Sequence, residues 1–267
     1  MYIIFVNFLK EFFKCFAYSD IWVFYSHKNI ILKYKDTILG PFWNVINSIF
    51  LISVLSLSYF LFLNPDNFNS FVYRLSISVF FWLFISTCLN GFTSLLENKK
   101  DLLNEKKIDI KNFVCENIYT NFIIFLHSFP IIFILLFVSD FKLQLSLLFA
   151  FLGLLIILIN LIMIGYLITI MSAIYKDVKK IVENLVYAFF FATPIIWSEN
   201  MVSAKIQKIL TFNPFYHFIV LFRNPLMNDL NEKFYQSFFI CLLIMLTIFF
   251  INLKINKHLE NKTILYL

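Results

Sequence analysis

The chain has 267 residues, of which 61% are hydrophobic and only 14% charged, with a formal net charge of +6. A soluble domain keeps about a quarter of its residues charged, so this balance excludes a soluble enzyme and fits a polypeptide solvated mostly by hydrocarbon. The basic residues lie at the edges of apolar runs, where anionic headgroups account for them, so the positive charge does not point to nucleic acid.

In chain order, the first element is amphipathic. Phe5, Phe8, Leu9, Phe12, Phe13 and Phe16 recur at helical spacing, opposite Asn7, Lys10, Glu11 and Lys14. Such a helix is too polar to span and suits either the membrane interface or a face of the protein body. Its charges, with no small-residue cleavage site, speak against a signal peptide. Trp22 follows in an aromatic patch, then Lys28, Lys33 and Lys35, so residues 1–35 read as one N-terminal interfacial region.

The first predicted span covers residues 42–63, bounded by Gly40-Pro41 and Asn64-Pro65 and free of charge. At 1.5 Å per residue it crosses about 30 Å of hydrocarbon. The second covers 75–96, with Arg74 at its outer end. Residues 97–111 then form the most charged interval, in which Leu102, Leu103 and Ile108 fit a short helix. Span three covers 117–139, with Pro130 as a kink and Glu116 near its edge, where it need not be buried. Span four covers 143–170 and holds Gly153 and Gly165, which permit close helix packing.

Span five is short, 181–197, with Pro194 near its end. The interval 199–233 contains an uncharged piece, 209–222, too short to cross and too apolar for an exposed loop. A pair of short re-entrant helices with Asn213-Pro214 at the turn fits it, lining the outer mouth of a pathway. A plain amphipathic loop is the other reading. Span six covers 234–253, followed by a basic tail. With the N-terminus inside, only Arg74, Lys142, Lys205, Lys208, Arg223 and Lys233 of the 22 basic residues fall outside, which predicts cytoplasmic termini.

The four cysteines, Cys15, Cys88, Cys115 and Cys241, form no CxxC pair, and the histidines form no HExxH, so no metal site is predicted. No GxxxxGK[ST] occurs, and no charge falls at mid-membrane in the predicted spans. The chain therefore neither binds ATP by a P-loop nor resembles an ion-coupled pump, and the energy for any transport comes from a partner. Segment 97–111 is then either the docking element for that partner or a solvated loop.

Four stretches carry a family resemblance: LKYKDTILGPFWNVINSIF at 32–50; the aromatic span and charged segment at 73–111; SAIYKDVKKIVENLVYAFFFATPIIW at 172–197; and NPFYHFIVLFRNPLM at 213–227. In order and spacing the chain resembles the membrane subunits of ABC-2 type polysaccharide exporters. Lys33 and Lys35 stand where arginine is common in that family, and Val178 follows Asp177 where leucine is usual.

The resemblance implies an all-α polytopic membrane fold: six transmembrane helices, an N-terminal interfacial gate helix, and short re-entrant helices between spans five and six. One ABC-2 type transmembrane domain would cover residues 1–267. Segment 97–111 would be a coupling helix resting on an ATPase through Glu97, Lys99, Lys100, Asp101, Glu105, Lys106, Lys107 and Asp109. Trp22, Lys28, Lys33, Tyr34 and Lys35 would form the gate through which substrate arrives, and Asn213, Pro214, Tyr216 and Arg223 the external re-entrant region. The three gate lysines suit the diphosphate of a lipid-pyrophosphate-linked glycan, or act only as positive-inside anchors.

The implied partners are a second copy of the chain, two copies of a soluble nucleotide-binding ATPase, the lipid-linked glycan and membrane lipids, with no nucleic acid. The chain itself would bind no cofactor and catalyse nothing, ATP and Mg being used by the ATPase. The setting would be the bacterial cytoplasmic (inner) membrane. The alternatives are an ABC-2 exporter of a smaller lipid or drug, and a non-ABC membrane transferase, which needs convergent carboxylates or histidines.

Overall fold

The computed structural model describes residues 19–63, 68–99, 109–138 and 145–266. The amphipathic stretch read over Phe5 to Phe16 lies outside them. So do Lys100, Asp101, Glu105, Lys106 and Lys107 of the charged segment, and the turn with Asp140 and Lys142. Among the described residues the regular elements are all helices.

Helix α1 (Ser19–Tyr34) has Asp20 in its first turn and Lys33 in its last, the signs that the helix ends favour. A turn follows with Gly40 at φ +55°, a left-handed conformation that a side chain would strain. Helix α2 (Phe42–Leu63) and helix α3 (Phe68–Phe92) pack side by side, and a short α4 (Leu95–Asn98) continues from α3. Helix α5 (Ile110–Leu126) is capped by Asp109, whose carboxylate accepts from the Lys111 backbone N–H at 3.0 Å. It breaks into α6 (Phe129–Val138) beside Pro130, which has no N–H to continue the ladder, so the predicted kink is a short interruption. Then come α7 (Ser146–Ile174), α8 (Asp177–Ala192), a 3₁₀ turn (Glu199–Met201), α9 (Ala204–Leu210), α10 (Pro214–Leu226) and α11 (Glu232–Tyr266).

Among the described residues five stretches are long and apolar enough to cross a membrane: Phe42–Phe62, Phe68–Phe92, Ile110–Leu135, Ser146–Ile174 and Glu232–Ile255. The chain is a polytopic all-α membrane protein. The stretch predicted as span five is α8, which has 16 residues and so a length of about 24 Å. It begins at Asp177 rather than Ile181, taking in Lys179 and Lys180. It stops at Ala192 because Thr193, preceding Pro194, is extended, as a residue before proline prefers.

Two other boundaries move. Helix α3 begins at Phe68, so Arg74 sits almost two turns inside it rather than at its end. Helix α5 begins at Ile110, so Glu116 lies within it and is buried at 3% exposure, where an edge position would not have required burial. Both departures have the same cause: a specific partner for the charge, described below, that hydropathy does not register.

Between helices in lipid there is no hydrophobic force, so close packing and interhelical hydrogen bonds must hold the bundle. Helix α3 is its centre, buried along most of its length against α2, α5, α7, α8 and α10. Phe81 stacks on Phe222 at 4.2 Å between ring centroids, and Phe84 on Phe125 at 5.2 Å, tying α3 to α10 and α5. Each such pair contributes about 0.5–1.5 kcal/mol beyond its burial. Carboxamides and hydroxyls bridge to neighbouring backbones: Asn117 Nδ2 to the Cys88 carbonyl at 3.0 Å, Asn252 Nδ2 to that of Met163 at 3.0 Å, and Thr169 Oγ1 to that of Phe92 at 3.2 Å. At Gly153 a Cβ would lie 2.6 Å from the Leu221 carbonyl oxygen, so α7 and α10 touch backbone to backbone there.

Candidate functional site

Helix α1 and the expected coupling residue Lys99 meet on one buried carboxylate, Glu116. Glu116 Oε1 lies 2.6 Å from Lys99 Nζ and also accepts from Asn29 Nδ2. Ser26 Oγ, fully buried, lies 2.7 Å from the Trp22 carbonyl and 3.1 Å from the Glu116 carbonyl, which share its proton. Three elements thus join at one point: α1, the start of the charged segment after α4, and α5. The Lys99 ammonium also stands over the Tyr25 and Phe113 rings, at 5.7 and 6.0 Å from their centroids. A buried carboxylate without a cation is costly, so the pair is what allows Glu116 to sit inside the helix packing.

The remaining expected coupling residues divide. Glu97 is exposed on α4, and Asp109 is spent on capping α5 and on a 3.4 Å contact with Lys111. Lys111 is itself buried, 5.7 Å over the Tyr166 ring.

Of the expected gate residues, Trp22 packs edge-on against Tyr119 of α5 at 5.2 Å. Lys28 and Lys35 are exposed. Lys33 reaches a cavity between α2, α3 and α5, and lies 5.4 Å over the Tyr34 ring. The Tyr34 hydroxyl accepts from Asn44 Nδ2, which ties the end of α1 to the start of α2.

The expected external region is built as two short helices meeting at Asn213-Pro214. Asn213 caps α10, its side-chain oxygen accepting from the backbone N–H of Phe215 at 2.9 Å, while its Nδ2 donates to Thr193 Oγ1 at 3.0 Å. Pro214 follows at the first turn, where a missing N–H costs nothing. From Tyr216 to Leu226 every residue of α10 is buried, so this helix does not line an outer mouth. Gly153 and the stacked Phe81 and Phe222 draw it into the protomer instead.

Two arginines serve the break after α8. Arg223 Nη1 donates to the Pro194 carbonyl at 2.7 Å and to Ser78 Oγ at 3.3 Å, and Arg74 Nη1 donates to the Trp197 carbonyl at 2.9 Å. Tyr73 donates its hydroxyl to the Leu226 carbonyl at 3.1 Å. Backbone carbonyls freed by a helix break must find donors inside the protein, and these side chains supply them. Burial, followed by the neighbouring Arg74 charge, lowers the Arg223 pKa to about 10, which keeps it charged at neutral pH. Among the described residues no cluster of His, Cys, Asp or Glu could hold a metal ion.

Sequence reasoning missed Asn29, the burial of Glu116, and the polar part of the cavity lining, Asn44, Ser48, Thr87, Asn121 and Ser128. A repeated Asn, Ser or Thr inside otherwise apolar spans was the available signal.

No family model matches the chain. It is similar to proteins named O-antigen export system permease protein RfbA. One from Klebsiella pneumoniae is 26% identical over 82% of this chain and 84% of the relative. A second from the same organism is 25% identical over 80% and 83%, and one from Myxococcus xanthus is 22% identical over 75% and 78%. The likeness to ABC-2 type O-antigen exporter permeases read from the four sequence stretches is thus matched over most of the chain.

Proposed function

We propose that this chain is the permease subunit of an ATP-driven exporter that moves a lipid-pyrophosphate-linked, O-antigen-like polysaccharide across the bacterial cytoplasmic membrane. It acts as a pair of copies with two copies of a soluble ATPase, and both termini face the cytoplasm. The observation that carries this is the similarity to three O-antigen export permeases over three quarters or more of the chain.

The packing supports it. Helices α2 and α8 both rest on α3 and leave their other sides open. On α8 the open side carries Lys180 and Asn184, which lipid does not favour, among the apolar Ile181, Leu185 and Phe191. A second copy facing these helices encloses them around a polar route. The chain supplies the route, and the carboxylate junction at Glu116 links the segment that rests on the ATPase to α1. ATP binding and its Mg chemistry reside in the ATPase.

Deleting the gene for this chain in its host, then assaying surface polysaccharide and lipid-linked glycan in the cytoplasmic leaflet, tests the reading. Loss of surface polymer with build-up of the lipid-linked form is expected. Unchanged surface polysaccharide in the deletion strain rules the proposal out.

A further inference from the structure

The cavity between α2, α3 and α5 has a volume of about 270 Å³, and polar side chains form part of an otherwise apolar wall among membrane spans. The direction of its hydrogen bonds is uniform. Ser48 Oγ donates to the Asn44 carbonyl at 2.7 Å, Thr87 Oγ1 to the Leu83 carbonyl at 2.8 Å, and Ser128 Oγ to the Phe125 carbonyl at 2.5 Å. Each hydroxyl has one proton, so all three are spent on the helices. Asn44 Nδ2 donates to the Tyr34 hydroxyl and to the Pro41 carbonyl, and Asn121 Nδ2 donates to the carbonyl and side-chain oxygen of Asn117. Both amide groups are therefore also used up as donors. What these five residues leave open is oxygen: three hydroxyl oxygens and two amide carbonyls. The exposed rim residue Asn47 adds one carboxamide.

A patch of acceptors beside apolar and aromatic side chains disfavours phosphate oxygens and favours a ligand rich in O–H donors with an apolar ring face. At one end stands the opposite chemistry: Lys33 Nζ, which makes no ion pair among the described residues and suits an anion. The two together describe a ligand with hydroxyls at one end and a phosphate at the other. We propose that this cavity binds the sugar ring next to the phosphate of a lipid-linked glycan, its hydroxyls donating to Ser48, Thr87, Ser128, Asn44 and Asn121, and its phosphate meeting Lys33. The inference rests on the export reading and adds to it a sugar-recognising site within each copy, separate from any route between copies.

The test uses the full chain in nanodiscs free of glycosidic detergent. Three probes share one alkyl tail: an alkyl diphosphate bearing N-acetylglucosamine, the same diphosphate without sugar, and an alkyl glucoside without phosphate. Affinities are read by native mass spectrometry. The sugar-bearing diphosphate is expected to bind about tenfold more tightly than either other probe. Thr87→Val, at an exposed position, removes one acceptor and is expected to weaken that probe about threefold to tenfold while leaving the sugar-free diphosphate unchanged. Thr87→Ser, which keeps the oxygen, retains binding. Lys33→Gln weakens both diphosphates and spares the glucoside.

Equal wild-type affinity for the diphosphates with and without sugar overturns the proposal. So does a folded Thr87→Val chain, judged by its thermal transition, that binds the sugar-bearing probe as wild type does. If the deletion strain loses surface polymer but the probes are not discriminated, the site falls and the export function stands. Discrimination with surface polymer intact in the deletion strain leaves the site standing and removes the export reading.

Discussion

Lys99 Nζ and Glu116 Oε1 are 2.6 Å apart, with only 14% and 4% of their side-chain surfaces exposed. The lysine caps the C-terminus of α4 within the charged segment 97–111, while the glutamate lies two turns into α5. Asn29 of α1 bonds to the same carboxylate oxygen, so one group joins the start of that segment's described part to both α1 and α5.

Removing one partner of this pair costs more than removing both. Lys99→Met leaves a carboxylate buried with only Asn29 and is expected to destabilise the protein by about 3 kcal/mol. The Lys99→Met/Glu116→Gln double variant should recover most of the loss, because no uncompensated charge remains. Thermal unfolding of the purified chain in one fixed detergent checks the order of the three proteins. A double variant no more stable than Lys99→Met contradicts the pairing.

At Gly153 the backbones of α7 and α10 are in contact, and an added Cβ would meet the Leu221 carbonyl oxygen at 2.6 Å. Gly153→Ala is therefore expected to destabilise by about 1–3 kcal/mol, despite alanine's better helix propensity. A stability gain at 153 would show that the helices do not approach this closely.

Arg223 holds the Pro194 carbonyl at the break after α8. Arg223→Met leaves that carbonyl and Ser78 without their donor and is expected to cost about 1–3 kcal/mol. Arg223→Lys, with one compact donor group in place of a fork, should restore part of it. Protease accessibility around residues 193–203 gives a local readout, with the methionine variant cut fastest.

His217 lends itself to a pH experiment. Its Nε2 faces the Thr211 carbonyl at 2.9 Å and so must carry the proton, leaving Nδ1 to accept from Ser237 Oγ at 3.0 Å. Burial holds its pKa below the ordinary histidine value, with the Thr211 carbonyl acting in the opposite direction. A base with a depressed folded pKa binds fewer protons folded than unfolded. Its stabilising effect is full above about pH 6.5 and is lost as the pH falls toward the folded pKa. The melting temperature should fall on acidification through this window, and His217→Gln should flatten that part of the profile. Parallel profiles for both proteins would exclude His217 as the group responsible.

Much of this architecture was legible from local sequence. An apolar run with no charge has one outcome in hydrocarbon, because its backbone can satisfy itself only as a helix, and so the stretches at 42–63 and 143–170 were found with small boundary shifts. Asn213-Pro214 was equally legible, since an N-cap followed by a proline at the first helical turn depends on neighbouring residues alone. Hydropathy failed where a charge found a distant partner. Arg74 reads as an interfacial residue until Trp197, 123 positions later, offers a carbonyl, and Glu116 reads as exposed until Asn29 and Lys99 close on it.

By itself the sequence determined the solvent, the helices and their approximate ends, since each follows from the transfer energy and backbone bonding of a contiguous stretch. The tertiary structure alone decided that α10 is buried, that two arginines cap a broken helix, and that five polar side chains from different helices line one cavity. Those outcomes depend on which helix lies beside which. In a bilayer that choice is made by packing contacts and hydrogen bonds between remote residues, to which no stretch of sequence refers.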